Sequence, residues 1–183
     1  MRPTHTDPLL LIGRIAVLIA QGLMAIAAFG VAIAIPALYF FRDTIVAEMA
    51  AEHPDTDIVF PTLPIVGALL LAFVAVAGLF VFFGKLRHII GTVEQGDPFV
   101  SDNASRLTVM AWIMLGVQLL AIPLAGLGLY VAKLMGEAAA ELDDLTVDVG
   151  LDVSGILLVV VLFILARVFR QGTSMRDDLE GTV

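Results

Sequence analysis

The residues able to hold a metal, move a proton or attack a substrate are few and scattered. His5, His53 and His88 lie in three separate segments, and no two share a helical face, whereas a zinc site gathers its ligands around one ion. The chain has no cysteine, which removes thiolate nucleophiles, thiolate-held metals and disulfides together. Asp143, Asp144, Asp148 and Asp152 could attract calcium. They lack the loop spacing and turn glycine of such sites, however, and read as a solvated acidic face. No glycine-rich phosphate loop, nucleophile elbow or two-histidine metal motif occurs. No catalytic, cofactor-binding or metal-binding residue is therefore assigned, and the expectation is that the protein is not an enzyme.

The polar groups that remain are those set within or beside apolar runs. Arg14 and Arg167 border such runs and can either contact a ligand in a cavity or reach out to headgroups; the second is the expectation. Gln21 and Gln118 lie inside them. They can line a polar path, but hydrogen bonds between helices are the commoner use of such residues.

The elements that must position these residues follow from composition. The chain has 183 residues, 60% hydrophobic and 15% charged, with a net charge of −8; a soluble domain has about 45–50% apolar and about 25% charged residues. Four stretches carry no acid or base: Ile15–Phe41, Ile58–Gly84, Leu107–Ala132 and Val153–Ala166. A helix needs about 20 apolar residues to cross the hydrocarbon core. The first three stretches exceed that length. The fourth reaches it when Asp152 and Arg167 extend toward the two headgroup layers. In lipid each span must satisfy its own backbone, which selects helices over strands for continuous apolar runs. The expected fold is all-α, a single integral-membrane four-helix bundle with spans near 9–41, 60–84, 104–132 and 151–170. Outer loops are expected at 42–59 and 133–150, with a linker at 85–103 and a tail at 171–183. The first span is longer than a signal-peptide core and has Asp7 in its flank, so it is expected to be retained.

Charge orients the spans. With both termini in the cytoplasm, Arg2, Arg14, Lys85, Arg87, Arg106, Arg167, Arg170 and Arg176 lie inside and only Arg42 and Lys133 outside, as the positive-inside rule requires. Tyr39 and Tyr130 then fall at the outer interface. The expected location is a plasma membrane, with lipid as the first partner, no basic surface for nucleic acid, and a protein partner or a second copy of the chain as further candidates.

Finer patterns mark the connections. Leu86, Ile89, Ile90 and Val93 repeat at helical spacing, so the second helix is expected to continue as an amphipathic cytoplasmic extension along the membrane surface. Gly96 and Pro98 stop it; Ser101, Asp102 or Asn103 can cap the third helix. Val168, Gly172, Met175, Leu179 and Val183 fall on one face of a similar extension after the fourth helix, where Arg167, Arg170 and Arg176 can meet anionic headgroups against the opposing charge of Asp177, Asp178 and Glu180. Leu145 to Ser154 alternates apolar and polar residues, which predicts an extended segment with Thr56–Phe60 as a pairing partner, or one that gives way to helix from Leu151 onward. Gly22, Ala25, Ala28 and Ala32 line one side of the first helix, where close helix approach is expected. Ala34-Ile35-Pro36 and Ala121-Ile122-Pro123 recur late in the first and third helices, a weak sign of duplication, and the prolines are expected to kink them.

The linker reads Gly96-Asp97-Pro98-Phe99, then Asn103, Arg106 and Leu107. The chain closes with Val168-Phe169-Arg170-Gln171-Gly172 and Asp177-Asp178-Leu179-Glu180-Gly181-Thr182-Val183. With four spans of this length, the sequence resembles, over nearly its whole length, a family of small bacterial membrane proteins known as domain of unknown function 2975. The resemblance implies a bacterial inner-membrane location and genes often placed beside small helix-turn-helix regulators. It implies no activity. The candidate interaction residues are Gly96, Pro98, Phe99, Asn103, Arg106, Phe169, Gly172, Asp178 and Leu179; Arg14, Gln21 and Gln118 are the candidate intramembrane polar residues. The expected function is that of a regulatory or interaction subunit acting through linker and tail. The alternative is a subunit of a small-solute or ion transporter or channel.

Overall fold

The computed structural model describes residues 8–52, 60–135 and 152–180. They form four helices: α1 (Pro8–Glu52), α2 (Thr62–Glu94), α3 (Ser101–Met135) and α4 (Val153–Glu180). All four are long and apolar enough to cross a membrane, as their composition predicts.

One boundary differs from what the sequence predicts. Helix α1 has 45 residues, roughly 67 Å at 1.5 Å per residue, and runs on through Arg42–Glu52, where an outer loop is expected. The charges there suggest a loop, but the segment has no glycine or proline and is rich in alanine, glutamate and methionine, all strong helix formers. Helix α4 continues past its span as far as Glu180, as the helical spacing of the tail predicts. Of the expected extended segment, Val153 and Ser154 form the first turn of α4, while 145–151 and the pairing stretch 56–59 lie outside the described residues.

Asp152 decides where α4 begins. Its carboxylate accepts the backbone N–H groups of Ser154 (3.0 Å) and Gly155 (3.1 Å), satisfying donors that have no partner within the first turn. Residue 152 therefore caps a helix; it neither extends a strand nor simply reaches for headgroups.

Extensive packing follows chain order: α1 on α2, α2 on α3, α3 on α4. The helices alternate in direction. Arg14 near the start of α1 meets Glu94 at the end of α2, and Phe99 just before α3 meets Gly172 near the end of α4. The core joins Phe82 and Ile89 of α2, Leu107, Met110 and Ala111 of α3, and Leu162 and Ala166 of α4. Ala104, Leu107, Met110, Ala111 and Gln118 are buried along one face of α3, which with α2 is one of the two helices that pack on both sides. Leu86 packs against this core and Ile89 is part of it. The extension of α2 thus turns its apolar face into the protein rather than along the membrane surface.

Helix α1 is peripheral. Among its residues with described side chains Val17 alone is buried, while Ile12, Ile19, Leu23, Ile26 and Phe29 are exposed. Such a surface is untenable in water but ordinary against lipid tails. The small-residue side of α1 makes no close approach at Gly22, where an added methyl would meet nothing within 4 Å.

Candidate functional site

The chain leaves α2 through a turn that only glycine serves well. Gly96 has φ +79°, a left-handed conformation that carries no Cβ penalty for glycine. Its N–H donates to the Val93 carbonyl (3.0 Å) and that of Asp97 to the Thr92 carbonyl (3.1 Å). These two bonds close the Schellman motif that satisfies orphan carbonyls at a helix end.

Asn103, in the first turn of α3, then locks the turn from below. Its side chain is fully buried. Its Nδ2 donates to the Pro98 carbonyl (2.9 Å) and to Thr92 Oγ1 (2.6 Å). Its Oδ1 accepts from Arg106 Nη1 (2.8 Å), and Arg106 Nη2 also reaches Asp102 (3.3 Å). Thr92 in turn donates to the Ile89 carbonyl (2.8 Å). Buried polar groups persist when partnered in this way. The position that opens α3 falls to Val100, one residue before the candidates, with the Asn103 N–H bonded to its carbonyl. Of the three cap candidates, Asn103 thus serves as a linker tie.

The linker is also held from α4. Phe99 lies over Gly172, where an added Cβ would come within 2.7 Å of the ring, and its ring centroid is 5.4 Å from that of Phe169. Thr173 Oγ1 faces the carbonyls of Phe99 (3.1 Å) and Phe169 (2.9 Å). Arg176 pairs with Asp97. The face of α4 that meets the linker therefore runs Phe169, Gly172, Thr173, Arg176. It shares Gly172 with the expected apolar face, whose Val168 and Met175 are 52% and 57% exposed.

Seven of the nine candidate interaction residues, Gly96, Pro98, Phe99, Asn103, Arg106, Phe169 and Gly172, come together in this clasp. Asp178 is exposed farther along α4; Leu179 falls within α4, but its side chain is outside the described residues. Arg14 joins the same end of the molecule through an ion pair with Glu94 at 3.1 Å, its side chain 54% exposed. Gln21 and Gln118 occupy different interfaces. Gln21 covers Gly84 of α2, its Nε2 3.2 Å from where a methyl there would sit. Gln118 is buried; its Oε1 accepts the Asp152 N–H (3.3 Å) and its amide fills the space a side chain at 155 would need. The two do not meet.

Thr92, Asp97, Thr173 and Arg176 also belong to the clasp, though none is among the candidate interaction residues. Asp97 and Arg176 are far apart in sequence, and only the antiparallel pairing of α3 with α4 brings them together. No group of three or more potential metal ligands occurs among the described residues, and the clasp has no arrangement of nucleophile and base. What the clasp holds is a set of internal hydrogen bonds, ring contacts and one ion pair that join the linker to α3 and α4.

A family model described as "Protein of unknown function (DUF2975)" matches residues 44–183. The match takes in the linker and tail motifs and α2–α4, and leaves out most of α1, so it is shorter than the near-complete resemblance expected. No curated protein and no solved structure matches the chain.

Proposed function

Because the chain belongs to the DUF2975 family of proteins of unknown function, its role has to be read from its own geometry, and we propose that it is a non-enzymatic regulatory or interaction subunit. It sits in a bacterial inner membrane with both termini and the linker in the cytoplasm, and it works through the linker–tail clasp. The supporting observation is the union of Gly96–Arg106 with the end of α4 into one preorganised platform through Asn103, Phe99 and Gly172. A platform fixed before binding avoids the ordering cost that a loose loop would bear. Met175 stands exposed beside it, near the paired charges of Asp97 and Arg176, an apolar anchor with a polar rim of the kind interfaces use.

The test is affinity capture from membranes with the tagged protein. Met175→Glu, which leaves the clasp contacts in place, and alanine replacements across linker and tail are expected to release a partner that the parent protein retains. Unchanged partners and unchanged phenotype with both sets would overturn the proposal. A transport role would need polar residues lining a shared path, and Gln21 and Gln118 instead serve separate helix contacts.

A further inference from the structure

A groove runs between the first turns of α3 and the last turns of α4, on the side of the clasp where Thr173 and Ser174 emerge. Its upper part, about 450 Å³, is lined by Ser101, Ser105, Thr108, Arg170 and Ser174 among others. An adjoining part, about 640 Å³, shares Thr108, Arg170 and Ser174 and adds Arg167 and Phe163. No acid lines either part, in a chain where acids outnumber bases 18 to 10. Arg167 and Arg170 are exposed and enter no ion pair among the described residues. Thr108 and Ser174 already donate to the carbonyls of Ala104 and Gln171; Ser101 and Ser105 have no such partner among the described residues.

This donor set matches an anion with several acceptor oxygens. Guanidinium groups bind phosphate in forked geometry, and serine hydroxyls complete the ring of donors. The groove also changes character along its length. Arg167 and Arg170 stand where the apolar run Val153–Ala166 ends, and below them Phe163 packs edge-on against Trp112 at 5.5 Å, with Trp112 itself 61% exposed. A ligand charged at one end and apolar at the other fits both parts, whereas free phosphate would use only the first.

We infer that this α3–α4 groove binds the phosphate of an anionic phospholipid, with Arg167, Arg170, Ser101 and Ser105 holding the headgroup and an acyl chain lying along Phe163 and Trp112. Basic pockets between membrane helices at a headgroup layer recognise lipids on this principle. The inference does not depend on a protein partner.

Trp112 is the chain's single tryptophan, so its fluorescence reads this face alone. The full-length protein is reconstituted in phosphatidylcholine vesicles containing a minor share of dibrominated phosphatidylglycerol or, in parallel, dibrominated phosphatidylcholine. Stronger quenching by the anionic lipid is expected, with the preference falling about fivefold for each of Arg167→Gln and Arg170→Gln. Arg87→Gln removes an exposed cation of α2 outside the groove and is expected to change nothing; Arg170→Lys is expected to keep part of the preference. Equal quenching by the two lipids, or an equal loss with Arg87→Gln, would overturn the inference. Millimolar inorganic phosphate that abolished the lipid preference would assign the groove to the free ion and overturn it also.

Discussion

Asn103 shows how much one side chain can decide. Its amide makes three hydrogen bonds with no exposure to solvent, so removing it strands the Pro98 carbonyl and one arm of Arg106. Leaving buried polar groups unpartnered costs about 1–3 kcal/mol. Asn103→Leu is therefore expected to lower the thermal unfolding midpoint of the protein in detergent, and more so than replacement of Asp102, whose carboxylate is exposed and whose ion pair contributes little. Equal midpoints for the two variants would show that the tie adds nothing to stability. The sequence marks Asn103 both as a linker candidate and as one of three possible caps, without choosing between them. A side chain at the start of a helix has several backbone groups within reach, and the folded linker decides which of them it meets.

At the scale of elements, two glycines set how closely α4 approaches its neighbours. Gly155 leaves room for the Gln118 amide and Gly172 for the Phe99 ring; neither site needs a positive φ, so packing alone explains them. In Gly172→Val the new side chain competes with Phe99 for one space. The linker is then expected to detach, and limited trypsin digestion should cut at Arg106 several times faster than in the parent. Adding Phe99→Ala frees that space and should restore part of the resistance, a coupling that a double-mutant cycle isolates. Additive effects of the two replacements would rule out the contact. The 3.6-residue period was legible in the tail, yet the buried face was set one step away from Val168 and Met175. An apolar residue just beyond a span can face lipid, solvent or protein, and hydropathy does not distinguish them.

For the whole molecule, the outstanding proposal is orientation, which rests on the distribution of arginine and lysine. The absence of cysteine makes it directly measurable. In intact cells a membrane-impermeant maleimide is expected to label Arg42→Cys, and to label Gln95→Cys only after the membrane is opened. Both positions are exposed. The opposite pattern would invert the topology and move the clasp to the outer face. The row-like packing adds a further consequence. Helix α1 packs extensively on α2 alone and presents most of its apolar surface outward, so the lipid or membrane partner it meets bears on its stability more than for α3, which packs on both sides.

By itself the sequence determined that four helices form and roughly where each begins, because lipid leaves an apolar run of this length no other way to satisfy its backbone. It also determined the α2 stop, since Gly96 and Pro98 act on local dihedral angles and on a missing N–H. Tertiary structure decided what lies against what: Gln118 over Gly155, Phe99 over Gly172, Asp97 beside Arg176, and Arg170 of α4 in one groove with Ser101 and Ser105 of α3. These depend on the rotation and register of helices about one another. Those are fixed by side-chain fit between segments distant in the chain, and a membrane-spanning helix that is apolar on every side carries almost no periodic signal of which side faces its neighbour.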